Sequence, residues 1–454
     1  MSALNPEAGA PAVLPRAAWW AHAYNAINTL CWGIVTGVPM QLFLKDLHAA
    51  GTVIGVLVAI PSFTQLLQLW VGPLADRLGY RRFALFGWAW RIAIVLALVP
   101  LVLARDWLVE QGVPPVALVV AVLVLLVAFN ALRTVSNSAF LPWYSVIIPE
   151  PVRGRFLARE NIAGTLGGMG VALISWAFFL WNPPGVYALL FGIAALFGVL
   201  AIACVDRFPP PPPPLPREQV EKAQVSWRTL MTRPFTAQLT LNLLWALAMS
   251  ASGVCWVGVL RDVGHCDASV PAILPMVGAW TALLLLPLVG RVVDHTGNRP
   301  ALGVAAILAS THLALWALLA WGLLPFGWPA LILIQTFAAC GGALFGLASQ
   351  RLLMSVVPAE QRGQGFAFHG VVCGVAGGLF PIAWGALFDF LTVHGWTRGE
   401  GYAILYGITA VIGFGVVLQV RRLPDPGAHR MRDFLRIVIH DVRDVLASLR
   451  PTRS

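Results

Sequence analysis

A charged side chain inside an apolar run sets the first chemical constraint on this sequence. Arg133 lies several residues within the run 116–139, and an arginine at that depth in lipid costs about 3 kcal/mol unless it faces water or an anion. Glu160, at the start of the next apolar run, is one candidate partner. The carboxylate or phosphate of a bound solute is the other, because a guanidinium can bind either group with two parallel hydrogen bonds.

Groups that could carry a proton are few within the apolar runs. Three histidines lie in such runs and would titrate near neutral pH: His22, His312 and His369. Each could equally serve as a hydrogen-bonded packing residue. The acidic side chains of the same regions all fall near the ends of runs: Asp46, Glu160, Asp206 and Asp389. The sequence therefore offers no carboxylate clearly at the middle of a run.

The sequence lacks the patterns that are typical of metal or covalent chemistry. Five of the six cysteines lie inside apolar runs, and no two of these five have a CxxC spacing. His440 and Asp444 lie in the C-terminal tail, and the loops are too short to assemble a catalytic group. We therefore predict no metal, no cofactor and no enzyme active site.

Composition identifies the environment of the chain. Of its 454 residues, 58% are hydrophobic and only 11% are charged, so charge cannot cover the surface of a soluble protein of this size. The same apolar content argues against disorder. The net charge of +10 includes only two lysines, and the arginines lie between apolar runs rather than in a block, which excludes a nucleic-acid-binding patch. The composition predicts a membrane protein.

Twelve apolar runs are long enough to cross a bilayer as helices. Their approximate limits are 19–43, 50–71, 83–104, 116–139, 158–181, 186–206, 235–259, 269–289, 301–321, 328–353, 365–390 and 402–420. The short alternating runs of a membrane β-barrel are not found. We therefore predict an all-α polytopic membrane protein with twelve transmembrane helices.

The positions of the basic residues predict the orientation of these spans. With the N terminus inside, 23 bases fall in inner segments, four in outer segments and three within spans. Since cytoplasmic connections retain Lys and Arg, both termini are predicted to be cytoplasmic. The expected location is the inner, or plasma, membrane, with the first apolar run retained as a span.

A proline-rich connection divides the chain into two halves. Residues 207–234 contain six consecutive prolines, which favour a stiff, extended spacer. The predicted organisation is a cytoplasmic segment 1–18, a six-helix half 19–206, the linker 207–234, a second six-helix half 235–420 and a tail 421–454. Apolar residues at steps of three and four in the tail predict an amphipathic helix, which would lie on the inner leaflet or pack under the bundle.

The two halves share a repeated loop. Gly72, Asp76 and Gly79 recur 218 residues later as Gly290, Asp294 and Gly297. Arg153 and Arg362 mark a second pair, each followed by glycine and displaced by 209 residues. Because six spans restore the starting side, the repeat is predicted to be parallel about an axis normal to the membrane.

The first loop closely resembles the signature G-x-L-A-D-R-x-G-R-K/R of the major facilitator superfamily. It reads Gly72-Pro-Leu-Ala-Asp-Arg-Leu-Gly-Tyr-Arg-Arg82, where Tyr80 replaces one expected base. The second copy is a degraded version. The resemblance implies an inner gate that is closed when the central cavity opens outward. Its predicted residues are Gly72, Asp76, Arg77, Gly79, Arg81, Arg82, Arg153, Gly290, Asp294, Gly297, Arg299 and Arg362.

The resemblance also implies a central cavity lined mainly by spans 1, 4, 7 and 10. The polar and aromatic residues of these spans give the substrate-cavity candidates: Asn25, Asn28, Trp32, Asn130, Arg133, Asn242, Trp245 and Gln335. Any of the amides could instead be hydrogen-bond glue between helices. The sequence signatures of drug exporters and of sugar porters are each only partly present in this chain, so no subfamily is assigned.

The sequence thus predicts a monomeric secondary transporter that moves a small-molecule substrate through the lipid bilayer by alternating access. Coupling to H⁺, coupling to Na⁺ and simple facilitated transport all stay open. One rival is a non-transporting protein of the same fold, acting as a sensor or as an assembly factor for a pigment or membrane complex. A membrane-embedded transferase is a further rival, but it would need the catalytic cluster that the sequence lacks.

Overall fold

The computed structural model describes residues 18–68, 70–71, 79–140, 143–144, 148, 153–208, 231–357 and 362–423, with the side chains of 18, 153–155, 286–296 and 362–364 excepted. The helices are α1 Ala18–Thr36, α2 Val38–Asp46, α3 Gly51–Gln65, α4 Tyr80–Leu103, α5 Arg105–Glu110, α6 Pro115–Ser138, α7 Arg153–Trp181, α8 Val186–Asp206, α9 Arg233–Gly258, α10 Ser269–Ile273, α11 Pro275–Thr296, α12 Asn298–Ala320, α13 Trp328–Val356, α14 Arg362–Val393 and α15 Arg398–Val420. Strands are absent from these ranges. The predicted linker prolines and tail helix lie outside them.

The number of membrane-crossing segments agrees with the twelve predicted runs. Among the described residues, ten helical segments are long and apolar enough to span a bilayer, and two shorter apolar segments, Gly51–Gln65 and Ser269–Leu285, fall where spans 2 and 8 were expected. The prediction of an all-α polytopic fold is therefore confirmed.

Some of these spans are less regular than the apolar runs suggested. The first, predicted as one helix over 19–43, is divided at Gly37 into α1 and α2 and extends to Asp46. Pro39 follows this break, and proline lacks the N–H and the space that a continuous helix requires. At its C-terminal end, α9 continues into a π-helical turn, Val259–Val263. Such wider helical turns are common at functional sites.

Two compact units can be distinguished. The first comprises the described residues of Met1–Gly37, Leu67–Val171 and Pro184–Glu221. The second comprises those of Val38–Leu66, Ala172–Pro183 and Lys222–Ser454. Residues 38–66, which the sequence assigns to the first six-helix half, therefore cluster with helices of the second half.

In the first unit, α8 packs against both α1 and α4, and α4 packs against α6. The glycines of α7 allow a further close approach to α1. A Cβ on Gly167 would lie 2.5 Å from the Ala26 carbonyl oxygen and 2.8 Å from Thr29 Cβ. Small residues at such positions let helix backbones meet closely, and this packing positions the polar face of α1.

In the second unit, α3 packs along α14 through a seam of glycines. A Cβ on Gly55 would overlap the Pro381 carbonyl oxygen, and one on Gly385 would overlap the Gly51 carbonyl oxygen. The helices α9, α12, α13 and α15 build the rest of this unit through the contacts α9–α14, α9–α15, α12–α13 and α12–α15.

Each copy of the repeated loop is followed by a helix, and the two helices begin at equivalent positions of the repeat. Gly79 and Gly297 both have φ 88° and directly precede α4 and α12, which begin 218 residues apart, at 80 and 298. Such a positive φ favours glycine because a Cβ would be strained there. Likewise α7 and α14 begin at Arg153 and Arg362, the second repeated pair.

Candidate functional site

A polar and aromatic cluster lies within the first unit, where α1, α4 and α6 come together. Helical spacing of three and four residues places its members on one face of each helix. On α1 this face carries Tyr24, Asn28 and Trp32; on α4 it carries Trp88 and Arg91; on α6 it carries Phe129, Asn130 and Arg133. We call these eight residues the arginine cluster.

Arg91 is the most enclosed charge of the arginine cluster. Its side chain is 0% exposed, and its Nη2 donates to Asn28 Oδ1 at 3.2 Å. The guanidinium carbon lies 3.8 Å from the Trp88 ring centroid and 4.9 Å from that of Phe129. Nε and Nη1 have no hydrogen-bond partner among the described residues. Most of the hydrogen-bonding capacity of this cation is therefore unused.

Arg133 lies beside this group and is partly exposed. Its guanidinium carbon is 4.3 Å from the Trp32 ring centroid, and its Nε is buried without a partner among the described residues. A desolvated cation–π contact contributes about 2 kcal/mol, whereas an arginine deep in a membrane costs about 3 kcal/mol. The aromatic contact alone does not offset that cost.

Two further groups complete the arginine cluster. Trp88 Nε1 donates to the Tyr24 hydroxyl at 3.0 Å. Asn130 Nδ2 donates to the Leu126 carbonyl of its own helix at 2.9 Å, while its Oδ1 has no partner among the described residues. Asn130 is 2% exposed, so this buried acceptor needs a donor from elsewhere.

Glu160 does not pair with Arg133, contrary to one of the two expectations for that arginine. Its Oε1 lies 3.2 Å from His22 Nδ1, and its backbone carbonyl accepts from Asn25 Nδ2 at 2.8 Å. The hydrogen bond to the histidine occupies the carboxylate, and the bond from Asn25 ties α1 to α7. Asn25 therefore acts as an interhelical link in this structure.

The candidates of α9 and α13 are strongly engaged with one another. Gln238 Nε2 donates to Ser349 Oγ at 2.9 Å, Ser349 Oγ donates to Asn242 Oδ1 at 3.0 Å, and Asn242 Nδ2 donates to the Gln238 carbonyl at 2.9 Å. Trp245 stacks on Phe345 with 3.8 Å between ring centroids. This arrangement gives Asn242 a structural role as hydrogen-bond glue.

The remaining polar candidates of the second unit lie apart from that network. Gln335 is partly buried on α13, with Oε1 facing Gly278 of α11. His312 is buried between Ser252 Oγ, 3.3 Å from Nε2, and the Ile334 carbonyl, 3.1 Å from Nδ1. His369 Nε2 lies 3.6 Å from Cys373 Sγ one turn along α14. Whether any histidine carries a proton stays a prediction.

The predicted inner gate is only partly within the described residues. Gly72, Asp76 and Arg77 lie outside them, and the structure gives only the helical backbone of Arg153, Gly290, Asp294 and Arg362. Arg81 forms an ion pair with Asp206 across the ends of α4 and α8, and Arg82 is exposed. Arg299 Nη2 donates to the Arg421 carbonyl at 2.7 Å, which links the start of α12 to the end of α15.

A second polar cluster, which was not predicted, lies in the second unit at the helix ends opposite to those that carry Arg299 and Arg421. Asp262 Oδ2 accepts from Lys45 Nζ and from the Tyr402 hydroxyl, both at 2.7 Å, and Asp262 Oδ1 lies 3.3 Å from Arg398 Nη1. The π-helical turn after α9 carries Asp262. We call Lys45, Asp262, Arg398 and Tyr402 the end cluster.

The start of α3 is capped from another helix. Asp389 on α14 accepts from the amides of Gly51 and Thr52, at 2.6 and 2.7 Å, and from the Thr52 hydroxyl at 2.6 Å. The helix's own N-cap residue, Ala50, has no side chain that could do this. A cavity of about 430 Å³ lies beside this cap and the end cluster, with Lys45, Asp389 and Tyr402 among its lining residues.

The acidic, histidine and cysteine side chains of the described residues are dispersed. No group of three or more His, Cys, Asp or Glu side chains lies close enough to hold an ion within the residues that the structure describes.

A family model described as Major Facilitator Superfamily matches residues 23–381. A search of curated proteins by sequence finds no significant match. Among solved structures, a mutant of the nucleoside transporter NupG is similar with a TM-score of 0.68 and 15% identity, over 89% of this chain and 100% of that chain.

Two further solved structures are similar over most of their length. A POT family transporter in complex with a thioalcohol-conjugated peptide has a TM-score of 0.66 and 12% identity, over 89% of this chain and 96% of that chain. A D-xylose-proton symporter has a TM-score of 0.63 and 13% identity, over 90% of this chain and 97% of that chain. At these identities the likeness shows the fold.

Proposed function

Because the chain belongs to the Major Facilitator Superfamily, we propose that it moves a small solute across its membrane by alternating access. The family match extends over residues 23–381, and the similar solved structures include transporters of nucleosides, peptides and a sugar. The proposal assigns no catalytic reaction to the chain.

One observation carries the proposal on the structural side. Within the second compact unit, α2 and α3, from the predicted first half, are held to α9, α14 and α15 of the predicted second half. The contacts are the end cluster and the Asp389 cap of α3. Alternating access requires contacts between the halves that close one end of the protein and then open.

These contacts are suited to opening because they are polar and partly exposed. The Lys45 and Asp262 side chains are 16% and 12% exposed, and Arg398 is 60% exposed. Arg398 lies at the surface, where an ion pair contributes up to about 1 kcal/mol. Lys45 and Asp262 are more enclosed, and water that enters when the contact opens can hydrate both charges, so neither is left buried and unpaired. Water can also replace Asp389 at the amides of Gly51 and Thr52, so separation leaves no donor unsatisfied.

The predicted orientation implies on which side of the membrane these contacts lie. With both termini cytoplasmic, the end cluster and the Asp389 cap would lie at the outer face of an inner, or plasma, membrane. The inner gate around Asp76 would then be the opposing closure. The protein would act as a monomer, with H⁺ and Na⁺ as the candidate coupling ions.

The experiment uses the purified full-length protein, first in detergent and then in proteoliposomes. A thermal-shift screen against nucleosides, short peptides, sugars, carboxylates and phosphate esters identifies ligands, since a ligand that binds only the folded state raises Tm by mass action. Each ligand is then tested for uptake. We expect saturable uptake of at least one ligand.

Asp389→Ala tests the closure itself. This change removes the three hydrogen bonds to Gly51 and Thr52, so we expect the uptake rate to fall several-fold while ligand affinity in detergent stays within about twofold. Asp106→Ala is the matched control, because Asp106 is exposed and pairs only with the neighbouring Arg105 among the described residues. Ligands that bind without any saturable flux would contradict transport and favour a sensor.

A further inference from the structure

The arginine cluster contains two positive charges and no negative one. Arginine stays protonated in proteins, so both guanidinium groups are permanent cations. They are neighbours in the cluster, because Phe129, whose ring contacts Arg91, precedes Arg133 by one turn of α6. Among the described residues, no ion pair includes Arg91 or Arg133; the nearby carboxylate of Glu160 pairs with His22, and that of Asp206 pairs with Arg81.

Aromatic rings and one amide make up the rest of the surroundings. Trp88 and Phe129 cover the faces of Arg91, and Trp32 covers Arg133. These contacts attract a cation but do not accept hydrogen bonds from its edge, and Nε and Nη1 of Arg91 and Nε of Arg133 have no partner in the described part of the chain. A buried charge that stays unpaired is strongly unfavourable. The cluster therefore lacks one component, and that component is an anion.

The two arginines differ in access to that anion. Arg133 is partly exposed and can present its guanidinium edge to a solute. Arg91 is enclosed and contacts Asn28, so it acts on the site by its charge and by orienting that amide. The unpartnered Asn130 Oδ1, three residues from Arg133 on the same helix, could accept a hydrogen bond from a donor on the same solute.

We propose that the arginine cluster binds the carboxylate or phosphate group of the transported solute, and that the substrate is therefore a small organic anion. This inference rests on the proposed transport function. Arg133 contacts the anionic group with its planar fork, the geometry that favours both carboxylate and phosphate. Arg91 is a positioning residue that adds a second positive charge behind it.

The test compares matched anionic and neutral probes by thermal shift on the full-length protein. The pairs are benzoate and benzamide, succinate and succinamide, glycerol 3-phosphate and glycerol, and adenosine monophosphate and adenosine. We expect at least one anion to raise Tm where its neutral counterpart does not. The first two pairs report carboxylate recognition and the last two report phosphate recognition. If no anion raises Tm more than its neutral counterpart, the proposal is wrong.

Arg133→Met removes the charge and retains the unbranched stem that packs on Trp32. We expect the dissociation constant of the anion to rise at least tenfold, with Arg133→Lys giving a smaller loss because it keeps the charge without the fork. Arg105→Met is the matched control, since Arg105 pairs with Asp106 outside the cluster, and we expect unchanged affinity. Unchanged affinity in Arg133→Met would overturn the proposal.

A second measurement is the melting temperature of the unliganded variant, which reports the stability of the fold. Without ligand, Arg133→Met should have a Tm equal to or above that of the parent protein, because it removes an unpaired buried charge. A lower Tm would mean that the charge of Arg133 stabilises the unliganded fold, which contradicts the premise that this charge is uncompensated, and this too would overturn the proposal. Flux measurements distinguish the transport hypothesis from the anion-site hypothesis. Saturable uptake of neutral solutes alone would support transport and contradict the anion site. Anion binding without any flux would support the anion site and contradict transport.

Discussion

Asparagines at similar helical positions have different environments in the two units. Asn28 on α1 accepts a hydrogen bond from the enclosed Arg91. Asn242 on α9 is bonded both to Ser349 of α13 and to its own helix. The sequence made them equivalent candidates, because both lie at steps of three and four on a polar helical face. Only Asn28 belongs to a group with an unbalanced charge.

This difference predicts opposite consequences for the two alanine variants. Asn242→Ala removes interhelical glue, which averages about 0.6 kcal/mol in membrane proteins, so we expect a slightly lower Tm and unchanged ligand affinity. Asn28→Ala leaves Arg91 without its hydrogen bond, so we expect ligand affinity to fall several-fold. Thermal unfolding and ligand titration of both variants provide the measurement. The reverse pattern would show that the arginine cluster is structural.

Single residues of the candidate site were only partly predictable. Arg133 was identified because an arginine inside an apolar run demands an explanation. Arg91 lies equally deep in its own apolar run, and its spacing of three from Trp88 is the sequence signal that links it to the cluster. The cap between Thr52 and Asp389 joins residues 337 apart, and no local pattern encodes such a contact.

At the scale of elements, glycine positions separate tight helix seams from open surfaces. On α14, a Cβ at Gly385 would overlap the Gly51 carbonyl, whereas a Cβ at Gly370 would meet nothing within 4 Å among the described residues. The helix thus carries a tight site and an open site of the same residue type.

The two glycines form a matched pair for mutation. We expect Gly385→Ala to destabilise the protein by about 1–3 kcal/mol, the usual cost of overpacking, and to lower Tm. Gly370→Ala should be neutral or stabilising by up to about 1 kcal/mol, because alanine is the better helix former. Thermal unfolding of both variants in one detergent measures the difference. Equal effects would mean that the seam can widen freely.

Helix existence was predictable from apolar length, while helix breaks were not. The twelve apolar runs all correspond to apolar helical segments. The division at Gly37 was missed because a glycine followed by Pro39 is also tolerated inside membrane helices. The π-helical turn at Val259–Val263 leaves no mark in an apolar pattern, and the partners of its Asp262 lie far away along the chain.

At the scale of the whole molecule, the orientation in the membrane is the main prediction to test. The repeated loops begin α4 and α12, so Arg81 and Arg299 should lie on the same, cytoplasmic side. Arg398, at the start of α15, should lie on the outer side.

Labelling with a membrane-impermeant maleimide tests this arrangement in intact cells. In a background where the partly exposed Cys266, Cys340 and Cys373 are changed to serine, Arg398→Cys should react directly. Arg81→Cys and Arg299→Cys should react only after permeabilisation. Labelling of Arg81→Cys and Arg299→Cys from opposite sides would contradict the parallel repeat.

The uncompensated arginines also have an electrical consequence for the cell. An unloaded carrier would hold two positive charges within the membrane field, and moving one charge through the full field is worth about 2.3 kcal/mol per 100 mV. The return of the empty protein would then depend on voltage, while a bound dianion would cancel that dependence. The same charges would repel protons and metal cations, so the unloaded carrier would not let these ions leak down their gradients.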